Sequence, residues 1–103
     1  MKTLVVGYLT FVPLKELNGE NKNALAVFTR KKNGKELKRK RIYIGMIHKI
    51  KGVYAFSQDT THIGALTSET LLLILSVIIG LNEKQVVLKN GEFEDMHEIS
   101  DNL

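Results

Sequence analysis

The chain of 103 residues contains no cysteine and no tryptophan, and Pro13 is its single proline. The absence of cysteine excludes disulfides, a thiolate nucleophile and cysteine-ligated zinc or iron–sulfur sites. Glycine motifs that bind phosphate are also absent, because the sequence contains neither Gly-x-Gly-x-x-Gly nor Gly-Lys-Ser/Thr. The Gly-x-Ser-x-Gly elbow of serine hydrolases is missing as well. We therefore expect no cofactor and no metal.

The overall composition is that of a globular protein. Hydrophobic residues make up 44% of the chain and charged residues 25%, and the length predicts a single domain over 1–103. The residues after Met1 predict a strand rather than the apolar core of a signal peptide, so we expect a cytoplasmic protein. The longest apolar run, Leu71–Leu81, is shorter than the roughly 17–25 residues that span a bilayer. No membrane association is expected.

The first half of the chain predicts an antiparallel sheet. Four segments favour strands because they are rich in β-branched and aromatic residues. They are 3–12, which stops before Pro13, 24–31, 35 to about 50 with a bend at Gly45, and 53–57. Asn33-Gly34 predicts a type I′ hairpin turn, because both residues tolerate a positive φ. We therefore expect four to five antiparallel strands within 1–58.

Side-chain alternation along the expected strand from residue 35 to 50 assigns its side chains to two faces. One face holds four apolar residues with a histidine in the same column: Ile42, Ile44, Met46, Ile50 and His48. The other face holds Tyr43, Ile47, Lys49 and Lys51. This assignment predicts that Ile44 and Ile47 lie on opposite faces of the sheet.

A helix is expected over 67–82. Thr67 and Ser68 are good N-cap residues, and Glu69 suits the positive end of the helix dipole. The following run, Leu71–Leu81, is apolar on every side, whereas a helix that covers one sheet needs a single apolar stripe. Such a helix must be wrapped by a curved sheet, covered by the C-terminal segment or buried against a second copy. We expect a homodimer that forms through Leu71–Leu81.

The C-terminal part predicts a small hairpin over 85–96 and an acidic tail over 97–103. Asn90-Gly91 supplies the turn. Together these features predict an α+β fold, in which an antiparallel sheet of four to five strands packs on one long apolar helix.

Charge is divided sharply along the chain. The net charge is +4, but ten basic residues lie between Arg30 and Lys51, where Glu36 is the single acidic residue. The end of the chain from Glu92 onward carries carboxylates and no lysine or arginine. A basic segment of this density attracts polyanions, because it neutralises phosphates and releases their counterions.

The candidate binding residues are eight cations around the expected hairpin, which we call the basic patch. They are Arg30, Lys31, Lys32, Lys35, Lys38, Arg39, Lys40 and Arg41. Alternation points the four consecutive cations 38–41 to both faces of a strand, so this part is expected to project beyond the core. The hypothesis is a non-enzymatic protein whose basic patch contacts nucleic acid, DNA or RNA. Tyr43 and Tyr54 could stack bases, and Phe56 is expected in the core.

Two alternatives remain open. The chain could be a stoichiometric inhibitor of phage or mobile-element type, which blocks a host nucleic-acid enzyme such as a defence nuclease. Its basic patch would then meet an acidic protein surface, or its acidic tail a nucleic-acid-binding cleft. A weaker alternative is a metal-independent ribonuclease toxin, which would use the basic and aromatic groups Arg41, Tyr43, His48, Tyr54 and His62. The pair Asp59 and His62 fits a loop turn as well as a general base.

Overall fold

The computed structural model describes residues 3–14, 24–32, 35–38, 40–61, 64–89 and 92–94. Within these residues the chain forms nine strands and one helix. In chain order they are β1 (Leu4–Val6), β2 (Leu9–Pro13), β3 (Leu25–Thr29), β4 (Lys31–Lys32), β5 (Lys35–Glu36), β6 (Ile42–Ile50), β7 (Val53–Gln58), α1 (Ser68–Asn82), β8 (Leu88–Lys89) and β9 (Glu92–Phe93).

The main sheet is antiparallel and has five strands in the order β1-β2-β3-β6-β7. Two small ribbons, β4–β5 and β8–β9, stand apart from it. The predicted α+β class, the antiparallel sheet, the helix and the small C-terminal hairpin are therefore confirmed. The acidic tail 97–103 lies outside the described residues, as do the two turns Asn33-Gly34 and Asn90-Gly91.

Two of the expected strands are interrupted. The segment 3–12 forms β1 and β2, because the chain turns between them at Gly7, whose φ of +58° suits glycine. The single strand expected from residue 35 to about 50, with a bend at Gly45, was predicted wrongly, since β5 ends at Glu36 and β6 begins at Ile42. The four consecutive cations between β5 and β6 leave neither face of the chain apolar, so a strand buried on one face cannot continue through them.

The alternation predicted for β6 is also wrong. Ile44 and Ile47 are both completely buried in the same core. The reason is a β-bulge: Val27 of β3 pairs with Gly45 and Phe28 pairs with Tyr43, so Ile44 is the extra residue. A bulge shifts the side-chain parity by one position. A Cβ on Gly45 would collide with the carbonyl oxygen of Ser57, which explains why glycine occupies the bulge.

The hydrophobic core lies between one face of the sheet and α1. The sheet contributes Leu9, Phe11, Leu25, Val27, Ile44, Ile47 and Tyr54. The helix contributes Ile74, Val77 and Leu81, and the C-terminal hairpin adds Leu88 and Phe93. We call the opposite side of the sheet the outer face. In the described part of the chain no helix other than α1 is present, and α1 packs on the core face.

The helix begins and ends as its sequence indicates. Thr67 is the N-cap, and its Oγ1 accepts the backbone N–H of Thr70 at 3.2 Å. The chain then folds back after α1, because the carbonyl of Gly80 accepts the N–H groups of Gln85 and Val86. A Cβ on Gly80 would lie 2.7 Å from Val86 Cγ2, so only glycine permits this approach.

In the described part of the chain, α1 is covered on one side. Thr70, Ile74, Val77, Gly80 and Leu81 are buried. The sheet does not wrap around the helix, however, and Leu71, Leu72, Leu75 and Ile79 remain between 45% and 65% exposed. The apolar residues of α1 that are not needed for the core therefore lie on an exposed face of the helix. No helix of the described residues is long and apolar enough to cross a bilayer.

Candidate functional site

The basic patch is built on an extension of the sheet. β3 leads through Arg30 into β4, which pairs with β5 as a two-stranded ribbon, with Lys31 opposite Glu36 and Lys32 opposite Lys35. The ribbon returns to β6, whose first residue, Ile42, pairs with Thr29.

Thr29 fixes the junction between the sheet and the ribbon. This side chain is 1% exposed, and its Oγ1 accepts the N–H of Lys31 at 3.0 Å and donates to the carbonyl of Lys31 at 3.1 Å. Arg30 adds a second anchor, because its N–H donates to the carbonyl of Tyr8 at 3.0 Å, and its own carbonyl accepts the N–H of Leu37. These bonds hold the ribbon in one direction relative to the sheet.

Most of the predicted binding residues face solvent. Seven of the eight lie in the described residues, and six of these are exposed: Arg30, Lys32, Lys35, Lys38, Lys40 and Arg41. Lys31 is half-buried, and Arg39 lies outside the described residues. The seven cations share the end of the sheet at which β3 stops and β6 starts. Because Glu36 is the single carboxylate of this segment, that end carries a strong positive charge.

On the core side of the ribbon, Tyr8 connects the basic patch to the helix. Its hydroxyl shares a hydrogen bond of 2.6 Å with Thr70 Oγ1 in the first turn of α1, and the Nζ of Lys31 lies 5.2 Å from the centre of its ring. An open cleft of about 540 Å³ lies here, lined by Gly7, Tyr8, Arg30, Lys31 and Glu36.

On the outer face, an arginine and two aromatic rings adjoin the patch. The guanidinium carbon of Arg41 lies 4.8 Å from the centre of the Phe28 ring. Phe28 and Tyr43 are paired neighbours on β3 and β6, and their rings meet edge to face, with centres 5.7 Å apart and planes at 65°. Burial raises the pKa of Tyr43, and the negative charge of Asp59 raises it further. The Tyr43 hydroxyl therefore remains protonated at neutral pH and can donate a hydrogen bond.

The other residues considered for chemistry are separated. Tyr54 belongs to the core, and burial raises its pKa. His48 pairs with Ala55, the next residue along β7, so His48 lies on the outer face. There its Nε2 shares a hydrogen bond of 2.8 Å with Ser57 Oγ. The structure thus brings Arg41 and Tyr43 to one end and puts Tyr54 and His48 on opposite faces. His62 lies outside the described residues.

Among the described residues no group of three or more His, Asp or Glu side chains is arranged to hold a metal ion.

Phe56 is half-buried and packs against the core, where it was expected.

Sequence reasoning missed Tyr8 and Phe28 as neighbours of the basic patch. Phe28 carried a usable signal, because it alternates with the buried Val27 and Thr29 and must therefore point away from them. Its contact with Tyr43 depends on the bulge in β6, which the sequence pattern alone does not locate. The turn at Gly7 brings Tyr8 to Lys31, and the continuous strand-like pattern of 3–12 does not indicate this turn.

Comparison of the chain with protein-family models, with curated proteins and with solved structures finds no match. The function of the chain is therefore inferred from the geometry and charge of the site.

Proposed function

We propose that this chain binds nucleic acid, and that the basic patch neutralises its phosphates. The observation that carries the proposal is the gathering of seven described cations on and beside one anchored ribbon, with Glu36 as the single carboxylate of the segment. Long cationic side chains on a narrow two-stranded ribbon can reach phosphates on either side of it. No charge of this density is needed to stabilise the fold, because exposed ion pairs contribute little to stability.

The chemistry of the patch favours backbone contact over base readout. Lysine supplies most of its charge, and lysine binds phosphate as a flexible point charge. Contacts of this kind fix position on the polymer but carry no sequence information. We therefore expect tight, salt-sensitive binding with weak sequence preference.

The test is reversal of three exposed charges in the patch, Lys32→Glu, Lys35→Glu and Lys40→Glu, in one triple variant. Binding to a fluorescent oligonucleotide is measured at several salt concentrations. Loss of three phosphate contacts predicts affinity lower by about 100-fold near 0.15 M salt and a salt slope shallower by about 2 to 3.

A matched control reverses three exposed lysines away from the patch: Lys51→Glu, Lys84→Glu and Lys89→Glu. Both triple variants change the net charge equally, so a general electrostatic effect would weaken both alike. The proposal requires that the control keep most of its affinity. Equal losses in the two variants, or no binding by the native protein, would overturn it, and the basic patch would then be tested against acidic protein surfaces.

A further inference from the structure

The outer face of the sheet carries a row of side chains that ends in two aromatic rings. The register of β1, β2, β3 and β6 aligns Val5 with Thr10, Thr10 with Phe28, and Phe28 with Tyr43. Phe28 and Tyr43 are each partly exposed, and the helix packs on the other face of the sheet. The two rings are therefore held on a rigid surface that α1 leaves open.

This row joins the basic patch directly. Arg41 precedes the first residue of β6, and its guanidinium lies over the Phe28 ring at 4.8 Å. A guanidinium in this position can stack on a base and can also contact a phosphate. Asp59 lies close enough to Tyr43 for its negative charge to raise the pKa of Tyr43. A negative charge near Tyr43 disfavours a phosphate at that ring but not an uncharged base.

We infer that the nucleic acid bound is single-stranded, with bases that stack on Tyr43 and on the Arg41 guanidinium held over Phe28, while the other cations of the basic patch contact the phosphates. In a duplex the faces of the bases are covered by their neighbours, so rings fixed on a sheet can reach them only in an unpaired strand. Aromatic platforms beside a positive groove bind single strands with little sequence preference. This inference rests on the proposed function and adds the class of polymer to it.

The test compares two single strands that differ only in their bases. One is an oligothymidine of roughly 12 nucleotides, within the usual site sizes, and the other is an abasic oligomer with the same number of phosphates. Stacking on the Tyr43 ring and on the Arg41 guanidinium predicts that the native protein binds the oligothymidine about 100-fold more tightly, since each stacked base contributes about tenfold. Equal affinities would overturn the inference without requiring any variant.

Variants then assign the stacking to particular rings. Tyr43→Leu is expected to lower oligothymidine affinity about tenfold and to leave abasic binding unchanged, and Phe28→Leu is expected to do the same. Tyr43→Phe retains the ring and should bind as the native protein does. Tyrosine emission gives a second readout, because the chain has no tryptophan and three tyrosines. Quenching on binding should be largely lost in Tyr43→Phe although its affinity is kept.

The possible failures are distinguishable. A duplex of the same length serves as a third polymer. Equal affinity for the abasic and the base-bearing strand, or for duplex and single strand, would contradict the stacking inference and leave the proposed function in place. Absence of binding to all three polymers would contradict the proposed function itself.

A second inference comes from a different observation, the open face of α1. Four large aliphatic side chains, Leu71, Leu72, Leu75 and Ile79, are 45% to 65% exposed there. The helix carries one charged residue, Glu69, among its fifteen. Solvated faces of surface helices are normally rich in charge, so this face is unsuited to lasting contact with water.

We infer that a second copy of the chain covers this face, helix against helix. An uncharged aliphatic stripe is complementary to itself, so two-fold pairing buries no charge and requires no specific partner groups. The segment 95–103 is a poorer occupant, because it brings the carboxylates of Asp95, Glu98 and Asp101 to a helix that offers them no cation. Four partly exposed side chains on each copy make a smaller interface than the ~1,200–2,000 Å² of stable complexes. A dimer of micromolar affinity is expected.

Molar mass measured by sedimentation equilibrium tests the dimer. The native protein should approach twice 11.6 kDa at high micromolar concentration, and Leu72→Glu should be monomeric. Val53→Glu is the matched control, because Val53 is similarly exposed at 56% but lies outside the helix. Ile99→Glu changes the alternative occupant, segment 95–103, and should also remain dimeric. A native monomer throughout this range, or dissociation by the control and Leu72→Glu alike, would overturn the inference.

Discussion

The side-chain amide of Asn82 binds both backbone polar atoms of Tyr54. Its Oδ1 accepts the Tyr54 N–H at 2.8 Å, and its Nδ2 donates to the Tyr54 carbonyl at 3.4 Å. Asn82 is the last residue of α1, and Tyr54 lies on β7, an edge strand of the sheet. The end of the helix therefore satisfies part of an edge that would otherwise be open to another strand.

Replacement of Asn82 by alanine should lower the free energy of unfolding by about 1 kcal/mol, since two backbone groups of Tyr54 lose their partners. The free energy of unfolding of Asn82→Asp should lie between those of the native protein and Asn82→Ala, because aspartate retains the acceptor and loses the donor. Urea denaturation measures both. Glu83→Ala, at the next position, which is also exposed, should change the free energy of unfolding little. An equal loss there would contradict the role given to the amide.

Gly45→Ala should be strongly destabilising, by roughly 2–3 kcal/mol or more. The new Cβ would collide with the Ser57 carbonyl and lie 2.6 Å from ring carbons of Phe56, and the bulge offers no room for it. Gly64→Ala is the control, because nothing lies within 4 Å of a Cβ at that position. Similar stability of the two variants in thermal unfolding would contradict the account of the bulge.

Thr29→Val should affect binding as well as stability. It keeps the shape of the buried side chain but removes the hydroxyl that holds Lys31, at a cost of about 1–2 kcal/mol. A less fixed ribbon should bind the oligonucleotide roughly threefold more weakly, because ordering then occurs on binding. Thr29→Ser retains the hydroxyl and should restore affinity. If both variants bind alike, the hydroxyl does not orient the patch.

Stability should decline in alkali because of Tyr43 and Tyr54. Burial raises the pKa of both residues above the usual value of 10.0 in the folded state. The unfolded chain therefore loses these protons first, so the associated stability is complete below pH 10 and is lost as pH rises through the folded pKa values. A Tyr43→Phe, Tyr54→Phe double variant should show a weaker dependence, measured as the free energy of unfolding at pH 9 and above 10. Identical profiles would contradict the stated burial.

Local signals in the sequence were sufficient for the helix and for part of the sheet. Thr67 caps α1 as expected, since capping depends on the nearest residues. The faces of β6 were not predictable, because one extra residue, Ile44, reverses the alternation that follows it. The exposed side of α1 was also hidden, because an apolar run indicates burial but does not identify what provides it.

The candidate site was predictable to the same extent. Charge density marked the basic patch, since a run of cations is visible without tertiary structure. The proximity of Arg41, Phe28 and Tyr43 depends on strand pairing between residues fifteen positions apart, and no periodicity in the sequence reports it. Prediction of the row of side chains on the outer face thus requires the strand register, whereas prediction of the basic patch requires only the composition of the segment.

The most direct test of the central claim is the salt dependence of oligothymidine binding by the native protein. If four or more cations of the basic patch contact phosphates, the logarithm of the association constant should fall with the logarithm of salt concentration with a slope of about −3 or steeper. Binding should persist near 0.15 M salt. A slope between zero and about −1, or no binding at that salt concentration, would contradict the claim that this surface binds nucleic acid.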